Sequence, residues 1–239
     1  MINTQCNNTY AITAHSTGNA AAVPYRRTPD RPNRRWCWAL LVLGGCLGGV
    51  AASCAPGTHN RTVVIAIDPG HGGRDPGATA HGVKEKNVTL AIGKDLATLI
   101  GRHHGMRAVL TRHGDYYVGL RQRDNIARGA GADLFISIHC DAGKPRWNWA
   151  TVYTQKHDPT ADASDRLGDD ITAALRHIER TDHDRTANFA VLRAARIPAV
   201  LVETGYITNP HQARQLSRVS FQHRLARAIF SGIQHYLRR

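Results

Sequence analysis

Two histidines and two glutamates stand where an open α/β sheet would present chemistry. The run Asp68-Pro69-Gly70-His71-Gly72-Gly73 directly follows a β-branched apolar segment. It therefore reads as a Gly-rich loop at the carboxyl end of a strand, the edge at which such sheets bind ligands. His139 ends the segment Leu134 to Ile138, and Glu203 ends Ala199 to Val202, so both emerge at the same edge. Glu85 lies just before a helical stretch beginning near Asn87, and a helix returning from the first strand would bring its carboxylate close to His71. Two imidazoles and one carboxylate are the ligand set of many catalytic zinc sites, which keep the fourth tetrahedral position for water. Bound metal polarises that water and lowers its pKa toward neutrality. Each residue also has a plainer reading: His71 capping a turn, His139 as a hydrogen-bonded strand-end histidine, Glu85 facing a helix dipole. Composition weighs against the plainer reading of the carboxylates. The chain has only three Glu against 15 Asp, and two of the three, Glu85 and Glu203, stand at this edge.

The elements that must position these groups follow from periodicity. Thr62 to Ile67 is a nearly unbroken β-branched run, as expected of a strand buried on both faces of a parallel sheet. Ala108 to Thr111, Leu134 to His139 and Ala199 to Glu203 read the same way, and Val152 to Thr154 adds a strand of unassigned direction. Between them the period turns helical: Val88, Ile92, Leu96 and Leu99 form one stripe, and Leu120 to Ala130 a second helix. Leu167, Ile171, Leu175 and Ile178 stripe a third, and Leu225, Ile229, Ile233 and Tyr236 the last. This alternation predicts a single α/β domain with a mainly parallel or mixed central sheet and helices on both faces. No internal repeat, low-complexity linker or second module follows residue 60.

A boundary falls near residue 60. Residues 1–60 read as an export signal or lipoprotein signal with a linker, and residues 61–239 as the catalytic domain. Arg26, Arg27, Arg31, Arg34 and Arg35 make a positive n-region, and Trp36 to Ala52 is apolar or Gly without a charge. Its core, Ala39 to Val50, falls short of the roughly 17 residues that a membrane-spanning helix needs. An uncleaved anchor is the alternative, and either way the remainder is expected in the periplasm or cell envelope. Cys54 follows Ala51-Ala52-Ser53, which resembles a lipobox and makes Cys54 the candidate membrane anchor. Four of the five cysteines lie at or before residue 54, leaving Cys140 alone in the folded part, so an internal disulfide scaffold is excluded. Residues 61–239 carry 26 Lys plus Arg against 17 Asp plus Glu, a balance of +9 that favours anionic surroundings. The arginines are dispersed and no groove-reading or aromatic RNA-binding signature appears, so nucleic acid is not the expected partner.

Beyond the spacing, the chain resembles a known family. Asp68 to Gly73 with Asp75-Pro76-Gly77-Ala78, then Lys84-Glu85-Lys86, looks like the zinc-dependent N-acetylmuramoyl-L-alanine amidases of type 3. Leu110-Thr111-Arg112 with Asp115, Arg123 and Ala127, the run Gly131 to His139, and Val202-Glu203-Thr204-Gly205-Tyr206-Ile207-Thr208-Asn209-Pro210 resemble it in order. The likeness spans about residues 62 to 237. It implies one zinc ion per chain held by His71, Glu85 and His139, with Glu203 as catalytic acid or base. The implied substrate is peptidoglycan, cut between N-acetylmuramic acid and L-alanine, by a monomer. Rival readings are another wall-active zinc hydrolase, a peptidase or deacetylase, and a non-catalytic envelope-binding lipoprotein.

Several neighbours of these motifs remain open. If alternation persists, Cys140 points away from the face His139 uses and packs rather than ligates. Asp141 returns to that face, where it could orient the His139 imidazole or cap a loop. Trp147 and Trp149 could wall a sugar or peptide stem or merely cover a core edge. Arg112 and Arg123 could pair with Asp115 or Asp124 or hold acidic groups of the peptide stem, with a structural role favoured. Only 63 residues separate His139 from Glu203, room for a strand, one helix and loops, so no inserted blocking helix is expected. The lipobox reading carries its own test. Cys54 should be the lipid-bearing first residue of the mature protein, and an intact mass that places the cleavage elsewhere would refute it.

Overall fold

The computed structural model of the chain describes residues 61–156, 159–182 and 185–239. The export segment and Cys54 lie outside the described residues. The β-branched run becomes β1 (Val63–Pro69), followed by a small hairpin of β2 (Thr79–Ala80) and β3 (Val83–Lys84) that leads straight into α1 (Glu85–Gly101). Next come β4 (Met106–Leu110), α2 (Leu120–Gly129), β5 (Leu134–Asp141), β6 (Thr151–Thr154) and α3 (Ala161–Leu175). The chain closes with β7 (Arg185–Thr186), α4 (Ala190–Ala195), β8 (Ala199–Tyr206), α5 (Pro210–Leu216) and α6 (Val219–Leu237). Among the described residues no helix is long and apolar enough to cross a membrane.

The central sheet has the order β4-β1-β5-β8-β6-β7. The pairs β1 with β4, β1 with β5, and β5 with β8 are parallel, as the unbroken apolar runs predict. The direction left open for Val152 to Thr154 is antiparallel to β8. Residues 142–150 alone separate β5 from β6, too few for the crossover of a dozen or more residues that a parallel return requires.

The two faces of this sheet are covered unequally. On one, Ile65, Ile67, Ile136, Ile138, Cys140, Val200 and Val202 pack against the long helices α1, α3 and α6. On the other, Ala66, Phe135, Ala199 and Leu201 form a smaller cluster with Ala127 of α2 and Val191, Leu192 and Ala195 of α4, edged by Ala132, Tyr153, Phe189 and Ile197. Alternation carries this thinner face forward to Asp68, Ser137, His139 and Glu203 at the carboxyl ends of the strands.

The expected helical stripes need two adjustments. Ile100, not Leu99, completes the stripe of α1 and is fully buried, because the spacing of four set by Val88, Ile92 and Leu96 continues. Ile178 lies beyond the end of α3 and packs only partly against the core. Between His139 and Glu203 the chain holds α4 as well as α3, one short helix more than expected.

Beyond α3, Glu179 is drawn under the end of β8. Its Oε2 accepts a hydrogen bond from Gln212 Nε2 at 2.8 Å, and Gln212 Oε1 accepts one from the Tyr206 amide at 2.8 Å. Glu179 Oε1 is buried and has no hydrogen-bond partner among the described residues. Burial pushes the carboxyl up to about 8, against the opposing effects of Gln212 and the positive charge of Arg224. The folded protein thus keeps a proton on Glu179 that the unfolded chain releases near the ordinary value of 4.5. Stability should therefore fall as pH rises from about 4.5 to about 8 and level off above. Glu179→Gln keeps the acceptor for Gln212 and removes the titration. Its thermal midpoint should exceed that of the unmodified protein by several degrees at pH 8.5 and match it near pH 5. Equal midpoints at both pH values would refute this account.

Candidate metal centre

The loop after β1 is fixed by two buried arginines. Arg112, fully buried, donates from Nε to the Pro69 carbonyl at 2.8 Å and from NH2 to the Gly70 carbonyl at 2.8 Å. Arg123 donates from NH1 to the Pro69 carbonyl at 2.9 Å and from NH2 to the His71 carbonyl at 2.8 Å. The same NH1 pairs with Asp68 Oδ1 at 2.6 Å, and Thr111 and Ser137 hydroxyls also donate to that carboxylate. Of the partners considered from sequence, neither Asp115 nor Asp124 takes up these arginines. Asp115 instead binds Lys86 Nζ at 2.7 Å, and Asp124 faces Arg128. The clamp sets His71 at φ 60°, a left-handed conformation that costs a non-glycine residue roughly 1–2 kcal/mol.

Glu85 is placed by the β2–β3 hairpin. Its turn, His81-Gly82, has φ of 51° and 75°, the pair of positive values that a two-residue type I′ turn requires. The Glu85 amide then donates to the Ala78 carbonyl, and its side chain enters the core as the first residue of α1. Oε2 accepts from the Ala78 amide at 2.8 Å, and Oε1 accepts from the Cys140 amide at 3.0 Å. Two glycines leave space around the cluster. A Cβ on Gly70 would lie 2.3 Å from the His139 ring, and one on Gly77 2.5 Å from Glu85 Oε2.

Within this frame three ligand groups converge. His71 Nε2 lies 3.0 Å and His139 Nδ1 2.9 Å from the same oxygen, Glu85 Oε1. All three ligand atoms fall within 4.8 Å of one another. The opposite nitrogen of His71, Nδ1, is bound by Asp75 Oδ2 at 2.9 Å, which turns Nε2 toward the cluster as an outer carboxylate does at metal sites. Burial alone would raise the Glu85 pKa, but the hydrogen bonds from His139 and His71 hold it well below the ordinary range. Burial would likewise depress His71, and its contacts with Glu85 and Asp75 raise it instead. The carboxylate is thus kept ionised, the state in which it can hold a cation.

Glu203 stands one strand away, in register with His139 across β5 and β8 and on the same face. It is nearly buried and is not among the three converging groups. A cleft of about 220 Å³ opens beside the cluster, lined by Asp68, His71, Asp75, Tyr117, Leu120 and Val191 among others. Asp75, Tyr117 and Val191 were not singled out by sequence. Asp75 alone had a signal there, four residues after His71 in the family-like run. Cys140 faces the core as expected: its Sγ lies 3.3 Å from Thr204 Oγ1, and burial raises the thiol pKa well above its ordinary value. Asp141 Oδ1 accepts from the Ala142 amide at 2.7 Å, in line with loop capping.

Comparison with known proteins agrees with this architecture. The family model described as N-acetylmuramoyl-L-alanine amidase matches residues 65–235. The chain is 38% identical over 173 residues to the sporulation-specific N-acetylmuramoyl-L-alanine amidase of Bacillus subtilis, covering 72% of this chain and 67% of that relative. It is 34% identical to N-acetylmuramoyl-L-alanine amidase AmiA of Escherichia coli, covering 72% and 75% respectively. Among solved structures, N-acetylmuramoyl-L-alanine amidase AmiC2 of Nostoc punctiforme superimposes with a TM-score of 0.69 at 36% identity, over 74% of this chain and 98% of that one. A match that takes in the clamped loop, the three converging groups and Glu203 over most of the folded chain shows that it belongs to the N-acetylmuramoyl-L-alanine amidase family.

Proposed function

We propose that this chain hydrolyses the amide bond between N-acetylmuramic acid and L-alanine in peptidoglycan, with one zinc ion held by His71, Glu85 and His139 and with Glu203 as acid and base. The observation that carries the reading is the convergence of two imidazole nitrogens on one ionised, doubly hydrogen-bonded carboxylate beside an open cleft. A nitrogen, nitrogen, oxygen donor set suits zinc, and the Asp75 contact to His71 is the outer support such ligands use.

Zinc at these ligands would activate water and polarise the scissile carbonyl. The rest of the chemistry belongs to the protein's own groups. Glu203, adjacent to His139 and shielded from bulk solvent, takes the proton of the attacking water and returns it to the departing alanine nitrogen. Tyr117, Leu120 and Val191 give the cleft an apolar wall against which the substrate seats. The short helix α4 carries no carboxylate, so it brings no competing anion to the ligands. The protein works in the cell envelope as a monomer, anchored through Cys54 where that residue is lipidated.

Two outcomes test this reading. Purified active protein should contain about one zinc per chain and lose turnover on chelation, recovering when zinc is restored. Active protein without stoichiometric metal would refute the ligand assignment. Glu203→Gln should keep zinc content and melting temperature while lowering turnover of peptidoglycan by roughly 100-fold to 10,000-fold, the range for loss of a positioned base. Loss of zinc together with activity would make Glu203 a ligand, lowered stability with modest kinetic loss would make it structural, and near-normal turnover would sink the mechanism.

A further inference from the structure

Trp147 and Trp149 take no part in the metal centre, yet the fold gathers them at its edge. With Tyr206 they form an aromatic group in which the ring centroids of Trp147–Trp149, Trp147–Tyr206 and Trp149–Tyr206 lie 5.7, 5.5 and 5.1 Å apart. Tyr206 is buried at the end of β8, while both indoles are partly exposed. Thr151 of β6 is the register partner of Glu203, so Trp149, two residues earlier, lies at the carboxyl edge of β8 on the side away from β5. The aromatic group therefore flanks Glu203 on one side and the metal centre flanks it on the other.

A second cavity opens there. It measures about 260 Å³ and is lined by Trp149, Arg180, Thr181 and Asp182. Its rim is tied to the strand that carries Trp149, because the Ala150 amide donates to the Arg180 carbonyl at 2.8 Å and the Asp182 amide to the Ala150 carbonyl at 2.9 Å. Trp149 Nε1 is buried and has no hydrogen-bond partner among the described residues. Because that N–H is buried, what Trp149 offers the cavity is the surface of its ring.

These features select a ligand class. An aromatic face suits the C–H face of a pyranose, a guanidinium fork donates to ring and acetamido oxygens, and a carboxylate accepts from hydroxyls. The volume lies just below the roughly 300 Å³ at which pockets for drug-sized ligands begin, a fit for one sugar ring. We propose that Trp149, Arg180 and Asp182 form a saccharide subsite that holds the glycan strand next to the scissile amide. This assignment rests on the amidase reading above. The three are positioning residues, since none touches the reacting atoms.

The test uses the full chain carrying Glu203→Gln and a β-1,4-linked N-acetylglucosamine tetramer, which has no peptide and no amide to cut. Calorimetric titration should give saturable binding. Trp149→Ala, which removes the aromatic face, and Arg180→Ala, which alters an exposed side chain, should each weaken it roughly two- to ten-fold. In otherwise unmodified protein, Arg180→Ala should raise KM more on long glycan strands than on a single-sugar muramoyl peptide, with kcat little affected on either. No tetramer binding, binding unaffected by both substitutions, or an equal rise of KM on the two substrates would overturn the subsite. The amidase reading fails separately: tetramer binding without turnover of either substrate by unmodified protein would sink that reading and leave the saccharide site standing.

Discussion

The whole site depends on three successive backbone carbonyls being held by two cations that cannot deprotonate. Pro69, Gly70 and His71 turn the chain sharply at the end of β1, and each would expose an oxygen to the interior. Arg112 and Arg123 take all three. A carbonyl left buried and unpaired costs roughly 1–3 kcal/mol, comparable to the strain of His71 in its left-handed conformation. Arginine suits this task because its planar fork addresses several acceptors at once from one position. Arg123 needs a counter-charge at that depth, and Asp68, itself satisfied by Thr111 and Ser137, supplies it. The pair joins β1, β5, α2 and the residue after β4 in one polar knot beneath the candidate metal centre.

Uneven covering of the sheet explains why chemistry appears on one face. Three long helices seal the face that carries Ile67, Ile138 and Val202. The opposite face has only α2 and α4, and these lie over Ala66, Phe135 and Leu201, toward the middle of the strands. The next residues on that face are Asp68 and Ser137, still buried under the start of α2, and then His139 and Glu203 at the strand ends, of which His139 is partly exposed. Strand periodicity thus keeps polar groups on one face up to the point where the second layer ends.

Much of this was legible because it depends on local pattern. Apolar runs fixed four strands, a spacing of four fixed α1, and polar residues at three strand ends marked the edge. Scarcity of glutamate pointed to Glu85 and Glu203 before any geometry. What depends on distant approach was hidden. Arg123 lies next in sequence to Asp124 yet pairs with Asp68, 55 residues away, because the start of α2 packs over the end of β1. Asp75 was visible as part of a motif, but its bond to His71 Nδ1 needs the bridge between Gly72 and Asp75 that folds the loop back on itself. The contribution of Val191 to the cleft arises from a short helix whose six residues give little periodicity to read.

The division of labour proposed for His139 and Glu203 follows from the spacing of the sheet. Neighbouring strands lie about 4.8 Å apart, and in parallel register their paired residues project side by side on one face. His139 and Glu203 are such a pair. Had Glu203 been one residue earlier or later, alternation would have turned it into the layer of Val202 and Thr204, beneath α3 and α6. Had it stood on β5 two residues from His139, it would lie deeper, at the level of Ser137. On β8 it stands in register with His139 and stays out of the three-membered cluster, the place that the proposed acid-base role needs. That cluster already has one carboxylate, Glu85, fixed by two backbone amides and two imidazoles. With its charge engaged by four partners, Glu85 is poorly suited to exchange protons during turnover, and the proposed mechanism therefore gives that exchange to Glu203.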